Sequence, residues 1–268
     1  MGKIVCIANQ KGGVGKTTTA INLGACLAAA ERRTLLVDCD PQSNSTSGLG
    51  LPAGPEKNLY RVLLGECPAE EAVVPTELSY LSVLPASRDL AGAEIELVPQ
   101  MSRETKLRHA LEPLRENYDF ILLDCPPSLG LLTVNALTAS DSVLIPLQTE
   151  YYAMEGLSQL LNSIELVRKH LNPSLALEGI VLTMADQRNN LSRQVAEEVR
   201  QHFGAKVFEV AIPRNVRLSE APSHGKPVLL YDISSRGAES YLALANEFLA
   251  RAQQGGAPVP VPPTAVRK

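Results

Sequence analysis

Short, unbroken apolar runs recur along the chain at residues 3–8, 34–38, 120–124, 142–147 and 179–183, each rich in Val, Ile and Leu. Runs of that length without polar alternation predict strands buried on both faces. Between them the period lengthens. Residues 16–31, 155–170 and 191–203 carry apolar positions at helical spacing, and in the last of these Leu191, Val195 and Val199 step by four along one face. Alternation of strands with helices predicts an α/β fold, a doubly wound and mostly parallel sheet with helices on both faces. A closing amphipathic pattern starts at Arg236 and runs to about Ala252 through Ala238, Tyr241, Leu242, Ala245 and Leu249. After it come Gly255, Gly256 and four prolines in the last eleven residues, which exclude a helix. Residues 1–253 therefore read as one domain and 254–268 as a flexible Pro-rich tail.

Composition narrows the function classes. The 268 residues are 45% hydrophobic and 20% charged, as in an ordinary globular protein. No apolar run approaches the ~18 residues of a membrane span, and the first residues enter a core pattern rather than a secretion signal. With 25 Lys+Arg against 29 Asp+Glu the net charge is −4, so any DNA contact must come from a local patch. Cysteines at 6, 26, 39, 67 and 125 form no C-x-x-C pair. That pattern predicts free thiols in a reduced cytoplasm rather than a disulfide framework. The histidines at 109, 170, 202 and 224 show no metal-ligand spacing and are assigned to the surface or to packing.

Candidate chemistry begins between the first strand and the first helix, where Lys11-Gly12-Gly13-Val14-Gly15-Lys16-Thr17-Thr18 stands. Small residues let backbone N–H groups curl around phosphate oxygens, and the following helix presents its positive end to the same anion. In a loop of this kind Lys16 bridges the β- and γ-phosphates of a nucleotide and the Thr17 hydroxyl ligates Mg²⁺. The first glycine of the usual G-x-x-x-x-G-K-[ST] pattern is replaced by Gln10, and a second lysine, Lys11, opens the loop. That lysine serves either its own nucleotide or the phosphates of a second copy, as an arginine finger does.

Two acidic strand ends complete the set. The run 120–124 ends in Asp124, placed to hold Mg²⁺ through water. The run 34–38 continues into Asp38-Cys39-Asp40-Pro41-Gln42, at the carboxyl end where ligands bind in such sheets. Asp40 is chosen to orient the attacking water because it lies beyond the strand, with Asp38 in support or capping a turn. Asp124-Cys125-Pro126-Pro127-Ser128 forms a second switch loop whose prolines limit its conformations.

Together these elements resemble the deviant Walker A ATPases of the ParA/MinD class. Three segments resemble the chromosomal ParA (Soj) branch: Gln10 through Thr19, Leu36 through Gln42, and Ile212-Pro213-Arg214-Asn215-Val216-Arg217 on to Lys226-Pro227. The resemblance covers roughly residues 1–250. It implies that Lys11 crosses an ATP-sandwich homodimer, that Asp40 serves hydrolysis, and that Pro213 and Asn215 lie near adenine. It further implies nucleoid-associated, ATP-dependent, nonspecific binding to double-stranded DNA and a ParB-type partner that triggers hydrolysis, in the service of chromosome segregation. No separate DNA-binding domain is expected before the first strand.

Rival readings are weaker on the residues. A MinD-like membrane-associated ATPase needs a basic amphipathic C-terminal helix, whereas this C-terminus is Pro-rich. An iron–sulfur reductase needs two cysteines in suitable loops, and only Cys125 qualifies. A pure DNA-binding module leaves Lys11 and Asp40 unexplained. Within 184–236, eight Lys+Arg face six acids, a balance of +2. Arg188 and Arg217 are singled out there as DNA-phosphate contacts, both matching DNA-binding arginines in the resemblance.

Overall fold

Every residue of Phe120–Asp124 and of Thr34–Asp38 is buried, the state expected of strands covered on both sides. The computed structural model describes residues 1–52, 54–186 and 188–253. The Pro-rich segment 254–268 lies outside the described residues. Seven strands, β1 (Lys3–Ile7), β2 (Thr34–Asp38), β3 (Val74–Pro75), β4 (Leu81–Leu84), β5 (Phe120–Asp124), β6 (Ser142–Gln148) and β7 (Ala176–Thr183), form one sheet in the order β3-β4-β2-β5-β1-β6-β7. All pairings are parallel except β3 with β4 at the edge.

The helices are α1 (Lys16–Ala29), α2 (Asn44–Gly48), α3 (Leu59–Leu64), α4 (Ala69–Ala72), α5 (Leu90–Glu96), α6 (Lys106–Leu111), α7 (Leu131–Ala139), α8 (Ala153–His170), α9 (Asn190–Phe203), α10 (Val216–Glu220), α11 (Val228–Tyr231) and α12 (Arg236–Gln253). They cover both faces. Ile4, Cys6, Leu35, Val37, Ile121 and Leu123 point into a layer with α3, α5, α6, α7, α8 and α9. Val5, Ile7, Leu36 and Leu122 point the other way, against α1, α10, α11 and α12. Strand residues thus alternate between two apolar layers, and β2 and β5 at the centre are buried along their whole length.

The sequence pattern and the structure agree at β1, β2, β5 and β6 to within a residue. Three differences have local causes. The first helix stops at Ala29 rather than 31 because Glu31 takes a left-handed φ of 57°. β7 starts at Ala176, three residues early, where a register shift between Val143 and Leu144 lets it pair along the whole of β6. β4 carries Ser82 in a four-residue run closed by Pro85, too short and too interrupted to stand out.

Placement of the site follows from the order. β1 lies between β5 and β6; its connection leaves over the α1 face, while that of β6 leaves through α8 on the other. Connections that diverge in this way open a crevice at the carboxyl ends of the strands.

Candidate nucleotide-binding site

The loop from Ala8 to Gly15 fills that crevice. Asn9 anchors it: buried, its Nδ2 donates to Pro146 O of β6 at 2.8 Å, and its Oδ1 accepts from Lys11 N at 3.0 Å. Gly13 and Gly15 have φ of 75° and 90°, the left-handed region that a side chain disfavours. A β-carbon on Gly12 or Gly13 would meet nothing within 4 Å, so the loop curls around open space. The cavity there measures about 330 Å³ and is lined by Gly12, Gly13, Gly15, Lys16, Thr17, Thr18, Asp40, Gln42, Asn44, Pro127 and Met184. Val14 points inward and is buried, its carbonyl accepting from Thr183 Oγ1 of β7 at 2.8 Å.

Lys16 is only 6% exposed. Its Nζ donates to Lys11 O at 3.0 Å, and no carboxylate forms an ion pair with it among the described residues. Burial lowers its pKa, while Asp124, Cys125 and Asp40 pull the other way. A desolvated ammonium without a carboxylate partner is a site prepared for an anion.

The strand register sets Asp38 directly beside Asp124. Both are fully buried, and burial pushes their pKa values up, to about 6 and about 7, with repulsion from Asp40 adding to the effect at Asp38 and repulsion from Asp38 and Asp40 at Asp124. They differ in what holds them. Asp38 is sealed: Thr46 donates to Oδ2 from its N at 2.8 Å and its hydroxyl at 2.7 Å, and Asp40 N reaches Oδ1 at 3.2 Å. Asp124 Oδ2 takes the Ser45 hydroxyl at 2.7 Å, but its Oδ1 has no hydrogen bond of sound geometry. The Thr17 hydroxyl lies close enough to hold its pKa down. Such an orphaned, buried carboxylate oxygen costs roughly 1–3 kcal/mol unless a proton, donor or cation meets it.

Asp40 lines the cavity at 7% exposure, its Oδ1 accepting from Gln42 N at 2.9 Å. Lys11 stands at the rim, its side chain half-exposed and ion-paired with Glu150 of the same chain. The geometry adds residues that pattern reasoning passes over. Ser45 and Thr46 clamp the two buried aspartates from α2, and Pro127 and Met184 close the cavity.

Outlying candidates are less concentrated. Pro213 lines a separate cavity of about 670 Å³ with Ala185, the neighbour of Met184, and with Arg188, Arg214 and Arg236. Asn215 caps α10, its side chain accepting from Arg217 N at 2.9 Å. The Arg188 side chain is 94% exposed and pairs with Asp186 at 3.5 Å. Arg217 is engaged by Glu220 at 2.8 Å and Asp232 at 3.2 Å. Cys125 is buried with its sulfur 3.2 Å from that of Cys6, and all four histidines are exposed.

A family model described as an AAA domain matches residues 2–177. The chromosome partitioning protein ParA of Myxococcus xanthus is 63% identical over 252 residues, spanning 94% of this chain and 89% of that protein. The sporulation initiation inhibitor protein Soj of Bacillus subtilis is 62% identical over 251 residues, 93% of this chain and 99% of its own. Among solved structures, a cobyrinic acid a,c-diamide synthase from Mycobacterium smegmatis with bound ADP and magnesium is 39% identical with a TM-score of 0.82, covering 97% of this chain and 99% of that one. The cell division ATPase MinD of Pyrococcus furiosus is 29% identical with a TM-score of 0.77, covering 93% and 99%.

Proposed function

The chain belongs to the family of the ParA and Soj chromosome-partitioning proteins and is an ATPase that works with Mg²⁺, and from that premise we propose that it acts as an ATP-bound dimer on DNA. One observation carries the reading. A buried ammonium without a carboxylate partner and a buried carboxylate with an orphaned oxygen sit beneath the same left-handed glycine loop. This arrangement fits Mg²⁺–ATP, whose phosphates complete the first and whose cation shell completes the second. Identity to the partitioning proteins is far higher than identity to the cobyrinic acid a,c-diamide synthase, which favours partitioning over amide synthesis.

In this reading the amides of Gly12, Gly13, Val14, Gly15, Thr17 and Thr18 cradle phosphate oxygens, and Lys16 binds the β- and γ-phosphates. Thr17 and, through water, Asp124 hold Mg²⁺, which when bound neutralises phosphate charge and fixes the phosphates for in-line attack. Asp40 orients the attacking water, since Asp38 has both oxygens committed to Thr46 and the backbone. Lys11 leaves Glu150 and crosses to the partner's phosphates, where a second cation offsets charge developing on the transferred group. Pro213 and Asn215 approach adenine. Arg188 and Arg217 contact DNA phosphates, with Arg214 and Arg236 beside Arg188 extending the basic surface. Residues 1–253 act as one ATPase domain, on the nucleoid in the cytoplasm, and a ParB-type partner accelerates hydrolysis. No helix among the described residues is long and apolar enough to cross a membrane.

ATP turnover and light-scattering mass, measured with and without duplex DNA and a ParB-type protein, test the proposal. Doubling of mass with ATP, and slow turnover accelerated by both additions together, are the expected results. A monomer at saturating ATP, or turnover indifferent to DNA and partner, would overturn it.

A further inference from the structure

The loop 125–130 joins Asp124 to α7, and its Pro127 lines the phosphate cavity. The body of α7 is fixed. Asn135, wholly buried, accepts from Leu107 N at 3.1 Å and donates to Arg103 O at 2.8 Å and to Leu131 O at 3.0 Å. The start of α7 is held differently. As in any helix the first-turn amides of Leu131, Leu132 and Thr133 have no intrahelical acceptor, and Gly130, the N-cap, brings no side chain to meet them. Thr133 ties back to the loop through its hydroxyl, 2.6 Å from Ser128 O.

A carboxylate lies across this helix start. Glu94, from α5, reaches so close to Gly130 that a β-carbon there would collide with Oε1 and would sit 2.8 Å from Cδ. Glu94 Oε1 is buried and has no hydrogen-bond partner. An acceptor without donors thus packs against the residue that caps α7, at the end of the helix where free amides stand and the dipole favours negative charge. Only glycine at position 130 permits that approach.

We infer that Glu94 is a positioning residue for ATP hydrolysis: its carboxylate takes the first-turn amides of α7 when the 125–130 loop closes over phosphate, and so fixes the far end of that loop. The inference rests on the ATPase reading, which wild-type turnover measured alongside tests by itself. Glu94 touches no reacting atom. Its effect therefore falls on kcat rather than on nucleotide affinity.

The experiment compares Glu94→Ala, Gly130→Ala, the double variant and the near-isosteric Glu94→Gln in the full chain. Expected are an about tenfold fall in kcat for Glu94→Ala and for Gly130→Ala, Mg²⁺–ATP affinity within about twofold of wild type, and a double variant no slower than either single one. Glu94→Gln, which keeps an acceptor oxygen but no charge, is expected between wild type and Glu94→Ala. Hydrogen exchange gives a readout that loss of packing alone would not move. Mg²⁺–ATP should slow exchange of 127–133 in wild type and fail to do so in Glu94→Ala, although nucleotide binds. Multiplying losses in the double variant, wild-type kcat in Glu94→Ala and Glu94→Gln, or intact ATP-induced protection would each overturn the assignment.

Discussion

Lys16 and Lys11 sit five residues apart with opposite surroundings, the first desolvated and unpaired, the second half-exposed and ion-paired with Glu150. Their substitutions should therefore fail in different ways. Lys16→Ala is expected to abolish nucleotide binding, because nothing else in the cavity replaces a buried cation against phosphate. Lys11→Ala should bind nucleotide yet lose ATP-dependent dimerisation and turnover, as fluorescent-nucleotide titration and light scattering would show; an ATP-bound dimer of Lys11→Ala would remove the trans role. Asp124 gives a prediction about stability. Its folded pKa, raised by burial to about 7, lies above its unfolded value near 4, so the cost of ionising it begins as pH passes the lower value and is complete above the upper. Asp124→Asn should accordingly stabilise the nucleotide-free protein by roughly 1–3 kcal/mol at pH 8, and much less at pH 5, while abolishing turnover. Thermal melts at the two pH values check the sign.

Among the elements, β2 and β5 were readable because nothing polar interrupts them before their terminal aspartates, and β1 because the glycine loop follows at once. The stretch between α1 and β5 was not. Its helices are four to seven residues long, below the span over which a 3.6-residue period declares itself, and β3 is a two-residue antiparallel edge. The same length rule explains the site. Phosphate loop and aspartates are local signals, whereas Ser45 reaches Asp124 across 79 positions and Thr46 binds Asp38 from a five-residue helix. The first tie comes from the register of two strands, which no window along the chain contains, and the second from a helix too short to show its period. At this scale α12 gives a further prediction. It docks on α1 through a 3.1 Å hydrogen bond between the Tyr241 and Thr19 hydroxyls, both buried. Tyr241→Phe should cost about 1 kcal/mol in denaturant unfolding and leave nucleotide affinity unchanged; a large loss of affinity instead would mean that α12 positions the loop.

For the whole molecule, net charge −4 argues against DNA and the local arrangement argues for it. Three arginines, 188, 214 and 236, share one cavity, and a dimer doubles them. Affinity for random duplex should need ATP and fall steeply with salt. Arg188→Ala with Arg217→Ala should abolish DNA binding and leave ATP-dependent dimerisation intact. Because Glu220 and Asp232 already hold Arg217, the single loss at Arg188 should be the larger. Filter binding at several salt concentrations decides it, and equal binding without ATP would refute the scheme.

The packing of the sulfurs behind the nucleotide site has a practical consequence. Cys6, Cys26, Cys39 and Cys125 are sealed in the core, and Cys67 alone is half-exposed. A thiol reagent added to the native protein should therefore label one cysteine quickly and the other four only as the structure opens. Cys39 precedes Asp40 and Cys125 follows Asp124, so Mg²⁺–ATP held against those two aspartates should slow their modification. The chain thus carries its own chemical clock, and the ratio of slow to fast labelling with and without Mg²⁺–ATP would report nucleotide affinity with no introduced probe.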